Sequence, residues 1–103
     1  MNKYLGDLEA TIQDRKNKDP KESYVASLIK EKEKIISKIK EESEELAEAF
    51  RENDLRGIKH ESADLLFHLM VLLSEKDIPF DEVLLELKKR EGVSGHEEKK
   101  SRK

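Results

Sequence analysis

An all-α fold, a small helical bundle, is what this sequence predicts, and three observations predict it. Only four Gly and two Pro interrupt 103 residues, so few positions can break a helix. Apolar residues recur at spacings of three and four along the chain, and nowhere do apolar and polar residues alternate as in a half-buried strand. Charged residues make up 44% and hydrophobic ones 35%, a balance that suits thin helices or a protomer that completes its core by homodimerisation.

The elements follow in order. Leu5, Leu8 and Ile12 put an apolar stripe on a first helix over about residues 2–16. Asn17 to Pro20 reads as a turn, and Ser23 as the cap of a second helix running to about Asn53, with Leu28, Ile35, Ile36, Ile39, Leu46 and Phe50 on its buried side. Asp54 is placed to cap a third helix ending near Lys76. Pro79 opens a fourth, which carries Val83, Leu84 and Leu87 to about Arg90. Gly92 and Gly95 interrupt the pattern, so residues 1–92 are expected to form one domain and 93–103 a charged tail.

Several function classes drop out on composition. A net charge of −3 and a pI near 5.7 leave no basic footprint for nucleic acid. With no cysteine there are no disulfides, zinc–thiolate sites or thiol catalysis. The longest nearly apolar stretch, Leu65 to Leu73, is too short to span a bilayer and contains His68, and the N-terminus lacks the apolar run of a signal peptide. A soluble cytoplasmic protein, with no membrane partner, is expected.

Two acidic clusters carry the chemistry. Glu41-Glu42-x-x-Glu45 is followed at a distance by Glu61-x-x-Asp64, and residues three or four apart share a helix face. With Ile39 as zero and about 100° per residue, Glu42 falls about 60° and Glu45 about 120° from the core centre on one flank, with Lys38 between them and Glu41 further out. On the third helix Glu61, Asp64 and His68 fall within about 60° of one another, and Val71 and Leu72 continue that stripe. Glutamate-rich helices are usually solvated faces. Here the acids sit beside apolar stripes on neighbouring helices, so antiparallel packing converges them. Repulsion among them calls for a cation, and hard oxygen ligands favour Mg²⁺, with Mn²⁺ a substitute, over zinc or copper. Such a site points to chemistry on phosphates. His68 reads as a core histidine, a partner of an acidic ligand, or a substrate contact. Ala63, Leu66, Met70 and Leu73 cover the other side of this helix and are expected to meet a second subunit.

The stretches Lys38 to Leu46 and Glu61 to Leu69 resemble the phosphoribosyl-ATP pyrophosphatase family of histidine biosynthesis, within the MazG-related all-α nucleotide pyrophosphatases, whose shared signature is E-E-x-x-E followed by E-x-x-D. Ser23 to Leu28 resembles the family's S-Y-T-A-K-L segment, Leu87 to Arg90 its E-L-x-x-R, and Ser94 to Arg102 its S-G-x-E-E-K-x-x-R ending. Lys40 stands where a small residue is usual, and Val25 where Thr is usual; neither removes a carboxylate.

The resemblance implies a MazG-like bundle that hydrolyses phosphoribosyl-ATP to phosphoribosyl-AMP and pyrophosphate, with a functional link to a separate phosphoribosyl-AMP cyclohydrolase. Read onto this chain, Glu42, Glu45, Glu61 and Asp64 are the expected metal ligands. Glu41 is expected to activate water, and Lys38 either to contact a phosphate or to pair with Glu42. Ser23, Tyr24, His68, Arg90, Lys99 and Arg102 are the expected substrate contacts. No Gly-rich phosphate loop is present, so metal and side chains must hold the phosphates. The alternatives are a house-cleaning nucleoside triphosphate pyrophosphatase on the same scaffold and, less favoured, a non-enzymatic helical oligomerisation module.

Overall fold

Five helices make up the secondary structure of this computed structural model, which describes residues 2–91; no strand occurs among them. The charged tail expected at 93–103, with Lys99 and Arg102, lies outside the described residues. Helix α1 spans Lys3–Arg15, α2 Tyr24–Lys30, α3 Lys32–Arg51, α4 Leu55–Glu75 and α5 Phe80–Lys89. None is long and apolar enough to cross a membrane.

Side-chain caps start three of the helices. Asn2 accepts from the Tyr4 N–H, Ser23 from the Ala26 N–H and Asp54 from the Gly57 N–H, each satisfying a donor the helix leaves orphaned. A β-carbon at position 57 would stand 2.5 Å from Asp54 Oδ2, so a side chain there displaces the Asp54 cap. The ends of α3 and α4 share one device. Asn53 and Asp77 take φ of 55°. The next residue's N–H then reaches back to the last turn, Asp54 to the Ala49 carbonyl and Ile78 to the Leu73 carbonyl, both at 2.9 Å. Glycine usually fills such a position, and Asn or Asp tolerates it.

Helices α3 and α4 form an antiparallel hairpin that is the frame of the molecule. Lys32 meets Glu75 at its open end, at 3.0 Å, and His68 meets Glu42 further in, at 2.7 Å. The buried residues of α3 are Ile35, Glu42 and Ala49, one every seventh residue, with Ile39 and Leu46 half-buried between them. That is a coiled-coil seam, and Glu42 occupies a core position in it. Helices α1 and α2 cover the open end of the hairpin. Ile12, Val25 and Leu28 there join Ile35, Met70, Val71, Leu73 and Phe80 in one apolar cluster. Helix α5 adheres through Phe80, Val83 and Leu84.

Three expectations need correction. The second helix is two helices, broken at Glu31 (φ −119°, ψ 81°). No Gly or Pro marks the break. Val25, Ala26 and Leu28 are all buried, a broad face that the narrow seam of α3 cannot continue, so packing decides it. Phe50 and Ile36, expected on the buried side, are 75% and 40% exposed, because a seam of period seven drifts by about 20° per heptad against a straight-helix reading, and Ala49 and Ile35 take the inward positions. Met70 and Leu73 lie in this chain's own core, under α1, and offer no free face to a second subunit; Leu66 is half-buried.

Candidate metal and substrate site

The apolar cluster stops where the acids begin. One turn beyond Val71 the seam of α4 continues as His68, Asp64 and Glu61, facing Glu42 and Glu45 of α3. His68 and Glu42 are each only 6% exposed. His68 Nδ1 lies 2.7 Å from Glu42 Oε1 and 3.0 Å from the Asp64 carbonyl oxygen, and Nε2 lies 2.9 Å from the Tyr24 hydroxyl. The Tyr24 ring packs against Phe67, at 6.3 Å between centroids, and edge-on to His68. Burial pushes the Tyr24 hydroxyl pKa up, with Glu42, Glu41 and Asp64 adding and Lys38 opposing, so the start of α2 lies within the field of the acidic cluster.

Nearer the α3–α4 turn the carboxylates crowd. Glu45 and Glu61 share a hydrogen bond, and that bond first, then burial, then the negative charges of Glu61, Glu41 and Asp64 hold the Glu45 carboxyl above the ordinary range. Negative charge gathers there at short range, and a cation would cancel it. Glu61 Oε1 is buried with no hydrogen-bond partner. Ligand atoms of His60, Glu61 and Asp64 all lie within 4.8 Å of one another. An orphaned buried carboxylate oxygen, a crowd of neighbouring carboxylates and an oxygen-rich donor set fit a hard divalent cation.

A sequence profile of the phosphoribosyl-ATP pyrophosphohydrolase family matches residues 5–91, a span that holds both acidic clusters and Tyr24. The chain belongs to that family. Phosphoribosyl-ATP pyrophosphatases of Novosphingobium aromaticivorans and Rhizorhabdus wittichii are 54% and 52% identical over 99 residues, covering 95% of this chain and 92% and 93% of those proteins. That of Neisseria gonorrhoeae is 43% identical over the same length.

Against this family background the expected site residues fall in different surroundings. Glu61 and Asp64 come together with His60, Glu45 lies within the field of Glu61 and Asp64, and Glu42 pairs with His68. Lys38 pairs with Glu41 at 3.5 Å, one residue off the expected pairing with Glu42, and Glu41 is the main cause that holds the Lys38 ammonium above its usual pKa. Ser23 is committed to the fold: its buried hydroxyl donates to the Arg15 carbonyl at 3.0 Å and accepts from the Ala26 N–H at 3.1 Å. Arg90 ends α5 and meets Glu86 at 3.3 Å. Sequence reasoning missed His60, whose Nε2 lies 3.2 Å from Asp64 Oδ2. Its i, i+4 spacing to Asp64 was the available signal.

Proposed function

We propose that the acidic end of the α3–α4 hairpin is the magnesium site of this phosphoribosyl-ATP pyrophosphohydrolase. The enzyme hydrolyses phosphoribosyl-ATP to phosphoribosyl-AMP and pyrophosphate in histidine biosynthesis. Glu42, Glu45, Glu61 and Asp64 hold Mg²⁺, or Mn²⁺ in its place. When bound, the ion neutralises phosphate oxygens and the charge that develops on the leaving pyrophosphate. The observation that carries this reading is the orphaned, buried Glu61 oxygen within a group of His60, Glu61 and Asp64 ligand atoms that all lie within 4.8 Å of one another. Folding concentrates negative charge there, which a cation relieves.

The chain's own residues supply the rest. Glu41 is exposed and next to Lys38, where it accepts the proton of the attacking water. The Lys38 ammonium balances charge on the triphosphate. Tyr24, half exposed beside these groups, borders the nucleotide. The ribose phosphate that an ordinary nucleotide lacks calls for a basic partner, and Arg90, Lys99 and Arg102 are the candidates. The enzyme acts as a homodimer. Phe50 and Leu55 flanking the hairpin turn, and Leu85 and Leu87 on α5, are exposed, and a second copy gives them cover.

Purified protein is assayed with phosphoribosyl-ATP and a panel of nucleoside triphosphates, with Mg²⁺ and after its removal. Metal-dependent release of pyrophosphate from phosphoribosyl-ATP is expected, lowered about 10²-fold or more in Glu45→Gln, Glu61→Gln and Asp64→Asn. Near-normal turnover in any two of the three refutes the metal site. A better rate on an ordinary triphosphate refutes the substrate. Sedimentation at micromolar concentration tests the dimer.

A further inference from the structure

A carboxylate in a core position of a helical seam is costly unless its oxygens are hydrogen-bonded. Glu42 is such a group, and His68 supplies the bond. Both neighbours of His68 Nδ1, the Glu42 carboxylate at 2.7 Å and the Asp64 carbonyl at 3.0 Å, are acceptors. The proton must therefore sit on Nδ1, since a bare nitrogen there would face two oxygens lone pair to lone pair. This holds whether the ring is neutral or charged. The other nitrogen is fixed by the Tyr24 hydroxyl at 2.9 Å, and Phe67 packs edge-on against the ring, 5.2 Å between centroids. The imidazole thus has no rotational freedom. Its contacts join three elements: α2 through Tyr24, α3 through Glu42, and α4 by its own backbone.

We infer that His68 is a positioning residue for the metal site, whose Nδ1 proton fixes the carboxylate of Glu42 and whose Nε2 ties that carboxylate to the nucleotide-bordering start of α2. The inference rests on the metal-ligand role proposed for Glu42. Hydrogen-bonded partners of ligating carboxylates set ligand orientation, and their loss typically lowers metal affinity about 10- to 100-fold. The three bonds also explain a core histidine on this stripe without making it a substrate contact.

The test uses Mn²⁺ as probe, its affinity read from the free-ion spin-resonance signal with no substrate present. Asn places a side-chain N–H where Nδ1 stood, whereas Gln and Phe do not. His68→Asn is expected to stay within about 3-fold of the parent, and His68→Gln and His68→Phe to lose about 10- to 100-fold. Equal losses in all three, or none in Phe, overturn the inference. Nitrogen-15 NMR of the metal-free parent provides a check that needs no variant to fold: the bound proton is expected on Nδ1, and a ring protonated only at Nε2 overturns the relay. Glu61→Gln separates the two readings. If it leaves Mn²⁺ affinity unchanged, the metal site itself fails. If it abolishes binding while His68→Phe binds normally, only the relay fails.

Discussion

Removing one negative charge from the hairpin should make the metal-free enzyme more stable while destroying its response to metal. Glu61→Gln is the substitution of choice, because the amide keeps the shape of the carboxylate and can donate to Glu45, which already shares a hydrogen bond with residue 61. Ligand oxygens of Glu61 and Asp64 lie within 4.8 Å. Two unit charges at that separation repel by about 1 kcal/mol under water's screening and about 3.5 kcal/mol at an effective dielectric constant of 20. Asp64 keeps 43% of its side chain exposed, so the lower part of that range applies, about 1–2 kcal/mol. In a domain of this size that corresponds to a melting temperature higher by roughly 5–10 °C in the presence of a chelator. Mg²⁺ at a hundred times its dissociation constant stabilises the parent by about 2.7 kcal/mol and the variant by far less, so the order of stability reverses. Calorimetric melts of both proteins, with chelator and with Mg²⁺, measure all four values. A variant less stable than the parent in chelator, or one that gains as much as the parent from Mg²⁺, refutes the reasoning.

Other outcomes follow from the same geometry. Because the folded state holds the Glu45 proton more tightly than the unfolded chain, this group's stabilisation is complete below the ordinary carboxylate range and is lost as pH rises through its raised value. Melts of the metal-free parent and of Glu45→Gln between pH 4 and 8 should therefore diverge, the variant overtaking as pH rises. Gly57→Ala should gain about 0.5–1 kcal/mol of helix propensity only when Asp54 is already Ala. In the parent the new β-carbon displaces the Asp54 cap, worth about 1 kcal/mol, and a denaturation cycle of the four proteins reads the coupling. Arg90→Ala should lower kcat/KM for phosphoribosyl-ATP roughly 10- to 150-fold and any residual triphosphate hydrolysis much less. Equal losses on both substrates assign Arg90 to the fold or to the shared triphosphate site.

Much of this molecule was legible in its residues, and the illegible parts have physical causes. Asp54 and Ser23 announce their helices because a short oxygen-bearing side chain before an apolar period has one efficient use. The alignment of Glu61, Asp64 and His68 on one stripe depends only on helical pitch, so it survives in the structure. The break at Glu31 depends on which faces of α2 and α3 are covered, a tertiary matter with no local signal. Phe50 turns outward because a straight helix and a seam of period seven diverge over four turns. Helix α4 is apolar on two sides, and the sequence does not say that α1 folds back onto the side of Met70 and Leu73. The pairing of His68 with Glu42 needed the register between two helices. Neither helix carries that alone.

Metal binding at the acidic end of the hairpin is what the proposed chemistry needs first. Crystals of the enzyme soaked in Mn²⁺ and measured for anomalous scattering address it directly. The strongest peaks should lie against the carboxylates of Glu42, Glu45, Glu61 and Asp64, with Glu42 still hydrogen-bonded to His68, and should vanish in Glu61→Gln. Manganese found elsewhere in an enzyme that remains active in the same ion, with those carboxylates bare, contradicts the account.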